Sequence, residues 1–230
     1  MTDANLKIAQ AKTQLMLRHP FFGSCAAGLN FVETDKVPTM ATDGRSILWN
    51  RAFVDSLDKD HVMGVIAHEV LHVVFKHMLR MGKRVHKKWN ICTDIAINDI
   101  LIDSGFSIPE QGLFSTSKPE WNKFKGWMAE KIYAEMPDDD VPEDGPAWGE
   151  VIPMQGEDGS EMSEAETQQV EAEMDIKVIM AADAAKSRGN LPAAIDQLVQ
   201  VMRRSQVDWR DVLHRFIGGD QPDDYTWRRP

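Results

Sequence analysis

The run His68-Glu69-Val70-Leu71-His72, set between Val62-Met63-Gly64-Val65-Ile66-Ala67 and Val73-Val74-Phe75, constrains this chain more than any other feature. The flanks are apolar on most faces, so a helix from about 60 to 81 should be largely buried. Asp58 or Asp60 can cap it and Gly82 ends it. Burying two histidines and a glutamate with that helix requires compensation, and metal ligation supplies it. Histidines at i and i+4 lie about 40° apart, one turn above each other, so both imidazoles can reach one ion. Zinc accepts neutral imidazole nitrogen at about 2.0–2.1 Å. Glu69, directly after the first histidine, points to the side, close to such an ion without binding it. There it can take a proton from a water whose pKa zinc lowers to about 7. The expectation is one zinc ion per chain, held by His68 and His72, with Glu69 as general base.

A catalytic zinc usually takes three protein ligands and keeps one position open. His77 is five residues past His72 and points about 140° away on a continuous helix, so it is rejected as a ligand. His61 shares the face but lies two turns from His68, about 10 Å along the axis, which leaves it a helix-start or second-contact role. The better candidate is on the next helix, expected from about 89 to 102. Asp94 sits there among apolar residues, where an unpaired carboxylate is unfavourable. Its bland alternative is a buried cap or an ion-pair partner of the basic loop at 83–88. Asn98, one turn later on the same face, can hydrogen-bond a ligating histidine. Asp99 is turned a further 100° or so and reads as a solvent or packing group.

Two short strand-like runs, 28–33 and 37–41, precede a turn at Asp43-Gly44 and a third run at 47–50. Pro38 places the second at an edge or at a strand start. Residues 4–18 read as a helix with Leu6, Ala9, Leu15 and Met16 as its stripe, and His19 to Gly23 as a turn with aromatic anchors. Residues 110–126 read as loop. Further helices are expected at 127–136, 163–187, 192–204 and 208–217. The class is therefore α+β, mostly helical, with a small sheet in the first third.

The net charge of −10 is unevenly spread. Residues 137–175 carry 14 Asp and Glu and no Lys or Arg, so the rest of the chain is about +4. The part at 137–160 reads as an acidic flexible insertion. Nucleic-acid binding gains little support. Cys25 and Cys92 form no C-x-x-C pair, so a disulfide framework is not indicated. No apolar run approaches the roughly 20 residues a bilayer requires, and the N-terminus has no secretory pattern. A cytoplasmic protein without a membrane partner is expected.

Several stretches together resemble a known family: Ala41-Thr42-Asp43-Gly44-Arg45, the run Gly64 to His72, and Trp89-Asn90 through Asp94 to Asn98. Pro20-Phe21-Phe22-Gly23, Val207-Asp208-Trp209-Arg210 and Asp224 to Pro230 are similar as well. They look like the metal-dependent peptidases of bacteria and phages in which a zincin-like domain precedes a von Willebrand factor A-like domain. The resemblance implies a zincin-like fold, with a small sheet packed on the active-site helix and a second helix bearing the third ligand. It implies His68, His72 and Asp94 as zinc ligands and Glu69 as base, in agreement with the helix geometry. It also suggests a MoxR-type AAA+ ATPase as partner. Residues 1–220 would form the peptidase domain, and 221–230 a linker toward an A-like domain that this sequence lacks.

The expected reaction is hydrolysis of peptide bonds in a protein or peptide. A substrate backbone could pair with the edge strand around Val37 to Ala41. His61, His86, Tyr133 and Tyr225 are candidates for stabilising an oxyanion, with packing or surface roles favoured for each. The rival is a non-catalytic, metal-stabilised binding module in an ATPase-linked remodelling assembly. Glu69 argues against it, since a purely structural site has no need of a base.

Overall fold

Helix α1 (Ala4–Arg18) starts where the Asp3 carboxylate accepts the Asn5 N–H at 3.3 Å. Its buried stripe is Ala4, Lys7, Ile8, Ala11 and Leu15, spaced by three and four. Of the stripe expected from the sequence only Leu15 is buried; Leu6, Ala9 and Met16 face solvent. A lysine inside that face misled the reading. Lys7 is buried because its ammonium donates to the carbonyls of Val54, Asp55 and Leu57 at 3.1, 2.8 and 2.6 Å. The chain in this computed structural model is described over residues 3–142, 148–156, 159–189 and 191–203.

Pro20 does more than end α1. It occupies the first turn of α2 (Pro20–Ala27), where its missing N–H is no loss. The expected turn at 19–23 is therefore a helix start, with Phe21 and Phe22 fully buried. Three strands follow: β1 (Asn30–Glu33), β2 (Met40–Thr42) and β3 (Ser46–Trp49). The sheet order is β1-β3-β2; β3 runs parallel to β1 and antiparallel to β2. Met40 pairs with Trp49 and Thr42 with Ile47. The hairpin between them turns at Gly44, while Asp43 Oδ1 accepts the N–H groups of Arg45 and Ser46.

After a short helix α3 (Arg51–Ser56), helix α4 (Lys59–Val74) runs through the middle of the core. Asp58 caps it, accepting the His61 N–H at 2.8 Å. Every residue from Val62 to His72 is buried, as the flanking sequence requires. Gly64 is demanded by a crossing chain: a Cβ there would lie 1.9 Å from the Ser107 carbonyl oxygen. The helix is shorter than the expected 60–81. It stops at Val74, Lys76 takes a left-handed conformation (φ 55°), and α5 (His77–Arg80) restarts in a new direction.

Helix α6 (His86–Asp103) packs against α4 on one side and α7 (Ala129–Glu135) on the other. Between α6 and α7 lies a second apolar cluster of Ile91, Cys92, Ile95, Trp121, Phe124, Ile132 and Met136. Trp121 and Phe124 come from a 3-10 turn, Pro119–Phe124, inside the stretch read as loop. Helix α8 (Glu164–Lys186) opens with a reciprocal Ser163–Glu166 capping box. Residues 193–203 are helical. The expected helix at 208–217 and linker at 221–230 lie outside the described residues.

Parts of the acidic stretch are packed against the core. Within 137–160, Trp148, Val151 and Met154 are buried, and the backbone at 150–152 bonds to Thr42. Acidic composition signalled solvent, but three apolar anchors spaced by three hold this part down. The observed class is α+β, mostly helical with a three-stranded sheet. Among the described residues no helix is long and apolar enough to cross a membrane.

Candidate metal centre

The apolar faces of α4 and α6 bring His68, His72 and Asp94 together. His68 and His72 have no exposed surface, and Asp94 is 3% exposed. The Nε2 atoms of His68 and His72 are 2.8 Å apart, and Asp94 Oδ1 stands 3.6 and 3.3 Å from them. The point equidistant from these three atoms lies about 1.9 Å from each, so a small step out of their plane reaches zinc bond lengths of about 2.0–2.1 Å. Among the described residues this is the group of histidine and carboxylate side chains that could hold a metal ion.

The surrounding hydrogen bonds aim the ligand atoms. Asn98 donates from Nδ2 to the Leu113 carbonyl at 2.8 Å, which fixes which way its amide faces. Its Oδ1 is then turned to His68 Nδ1 at 2.7 Å, so the ring proton sits on Nδ1 and Nε2 presents a lone pair. His72 Nδ1 lies 2.9 Å from His77 Nδ1; with that proton on His72, its Nε2 presents a lone pair as well. Two lone pairs and a carboxylate oxygen then converge on one small space. Such an arrangement repels itself unless a cation sits between the donors, and the donor set suits zinc.

Burial depresses the basicity of all three histidines. His68 is brought down to about 4, with the Asn98 contact working the other way. His72 falls well below the usual histidine value through burial and then the neighbouring His68 and His77. His77 falls through burial, then Arg80 and His68. The imidazoles are therefore neutral near pH 7, the form in which they bind metals. Asp94 is pushed well above the ordinary aspartate range by burial. Glu69 is pushed up by burial first, then by the charges of Asp94 and Glu150.

Glu69 is fully buried, and neither carboxylate oxygen has a hydrogen-bond partner. It stands on the same turn as His68, beside the converging donors. A glycine lies over them: Gly149 has φ +79°, and a Cβ there would be 2.6 Å from His68 Nε2 and 3.5 Å from Glu69 Oε1. Trp148 packs its ring edge-to-face on His68, centroids 4.7 Å apart.

The structure brings His68, Glu69, His72, Asp94 and Asn98 together and leaves His61 aside. His61 stays on the first turn of α4, its Nδ1 3.0 Å from Asp58. His77 stands outside the three-ligand group, yet it holds His72. A continuous helix forbids that contact; the break at Lys76 creates it, and no Gly or Pro between 73 and 77 announces a break. Trp148 and Gly149 were missed too, because they sit in a stretch whose composition spoke only of solvent. The other oxyanion candidates are engaged elsewhere: His86 Nε2 is 2.7 Å from the Val151 carbonyl, and the Tyr133 hydroxyl accepts the Val85 N–H. Tyr225 lies outside the described residues.

A family model described as "Putative metallopeptidase domain" matches residues 3–230. No curated protein and no solved structure matches the chain.

Proposed function

The chain belongs to that family of metallopeptidase domains, and from this premise we propose that it is a zinc-dependent peptidase in which His68, His72 and Asp94 hold the metal and Glu69 is the general base. The observation that carries the reading is Glu69. A buried carboxylate without any partner is unfavourable by several kcal/mol in a finished structure, whereas a base must keep its oxygens free for a water. When bound, zinc would polarise the scissile carbonyl and lower the pKa of water to about 7.

The chain's own residues supply the rest. His68 and His72, held by Asn98 and His77, keep their Nε2 lone pairs aimed at one point. Glu69 accepts a proton from the attacking water, whose oxygen bonds to the carbonyl carbon. As the C–N bond breaks, Glu69 returns that proton to the leaving nitrogen. The arrangement of α4 against the small sheet, with a ligand on α6, supports a zincin-like architecture. Protein or peptide chains are the proposed substrates, in the cytoplasm, with a MoxR-type AAA+ ATPase as the proposed partner through the family resemblance.

Zinc per chain, measured by elemental analysis on the wild type and on His68→Ala, Asp94→Ala and Glu69→Gln, tests the reading. About one zinc in the wild type and in Glu69→Gln, and loss in the other two, is expected. Cleavage of casein should accompany the wild type alone. Absence of zinc from wild type purified without chelators overturns the proposal. Zinc without cleavage in any condition favours the metal-stabilised binding module.

A further inference from the structure

We propose that Trp148–Ile152 is a built-in occupant of the substrate cleft, and that it must leave the edge of β2 before an extended peptide can reach the metal centre. This rests on the peptidase reading above and adds regulation of the same site.

Strand β2 is the edge of its sheet. An extended peptide entering such a cleft would pair with its outward N–H and C=O groups. Those of Thr42 are taken. Thr42 N–H donates to the Glu150 carbonyl at 2.9 Å, and Ile152 N–H donates to the Thr42 carbonyl at 2.9 Å. The pairing places Thr42 opposite Val151, in parallel. On its other side the segment is held by α6: Val151 N–H reaches Asn90 Oδ1 at 3.3 Å, and its carbonyl meets His86 Nε2 at 2.7 Å. Five residues thus span the cleft between sheet and ligand-bearing helix, as a bound strand would.

The same segment covers the chemistry. Gly149 approaches so closely that any side chain at that position would strike His68 Nε2. Trp148 fills the space against the His68 ring and is 3% exposed. With Gly149 there, the space next to His68 Nε2 and Glu69 Oε1 that a scissile carbonyl would need is filled by backbone.

One feature marks this closed arrangement as displaceable. The Trp148 indole N–H is buried without a partner. The indole N–H gains a water partner when the segment lifts; the closed state is held by a short ladder on Thr42, two hydrogen bonds to α6 and the buried Trp148 and Val151 side chains.

The test uses the zinc-loaded full chain and a short peptide hydroxamate, which ligates zinc while presenting an extended backbone. Affinity is measured for the wild type, for Ile152→Pro, which removes the N–H bonded to Thr42, and for Trp148→Ala, which removes the anchor. Zinc content and thermal unfolding are recorded for each, so a misfolded variant is identified. Both variants are expected to bind about tenfold more tightly than wild type, as when the competent state is populated about a tenth of the time. Amide exchange provides a second readout in unmutated protein. Ile152 N–H, protected in the free state, should exchange faster when the hydroxamate is bound. Equal affinity in all three proteins, or unchanged Ile152 protection in the complex, overturns the occupant and leaves the peptidase reading standing. Failure of every zinc-loaded protein to bind the hydroxamate overturns both.

Discussion

Asn98 Oδ1 lies 2.7 Å from His68 Nδ1, and the amide nitrogen of the same residue is spent on the Leu113 carbonyl. One side chain thereby decides which nitrogen of His68 faces His72 and Asp94. Removing it in Asn98→Ala is expected to weaken zinc binding about 10- to 100-fold. Competition against a chromophoric chelator measures this. Asn98→Asp, which keeps an acceptor toward His68, should recover most of the loss.

His77 does for His72 what Asn98 does for His68. His77→Phe keeps an aromatic ring against Phe75 and Trp89 but removes the nitrogen. About a tenfold loss of zinc affinity is expected, with little change in the fold by circular dichroism. An unaltered affinity would show that His72 needs no partner.

Glu69→Gln should retain zinc and lose at least about 10²-fold in turnover of a casein-type substrate. The variant also carries a pH signature in the metal-free protein. Folding raises the Glu69 pKa well above 4.5, so above that pH the folded chain holds a proton the unfolded chain has released. Stability from this group therefore falls as pH rises through and above 4.5. Glutamine has no such dependence. The stability of metal-free Glu69→Gln relative to metal-free wild type should grow as pH increases from 4.5, as denaturant titrations at several pH values would report.

Gly64→Ala introduces a methyl group 1.9 Å from the Ser107 carbonyl oxygen, where backbone must shift to admit it. Alanine favours helix by about 1 kcal/mol over glycine, so the crossing decides the sign. A net loss of about 1–3 kcal/mol is expected, read as a lower midpoint of denaturant unfolding. Stabilisation by this substitution would show that the 104–108 chain does not cross α4 so tightly.

Much of the centre was legible because it depends on helix periodicity. His68, Glu69 and His72 are related by single-helix geometry, and Asp94 and Asn98 by the same rule on the next helix. Apolar neighbours around each polar residue signalled that these faces turn inward. Where the reading failed, the deciding contact was long-range. The buried face of α1 was set by Lys7 meeting three carbonyls of a helix end about 50 residues away. The start of α2 was hidden because Pro20 suits both a helix stop and a helix first turn.

The sequence by itself determined which residues the two helices could bring together: the spacing of His68 and His72, Glu69 beside them, and Asp94 on the following helix. Only the tertiary structure decided what surrounds them. His77 reaches His72 through a break that no residue in the run demands. Trp148 and Gly149 reach His68 from a stretch whose charge pointed to water. Local periodicity relates residues within one helix, whereas these contacts join segments from 5 to 80 residues apart, and their energy comes from packing and backbone pairing that no local pattern records.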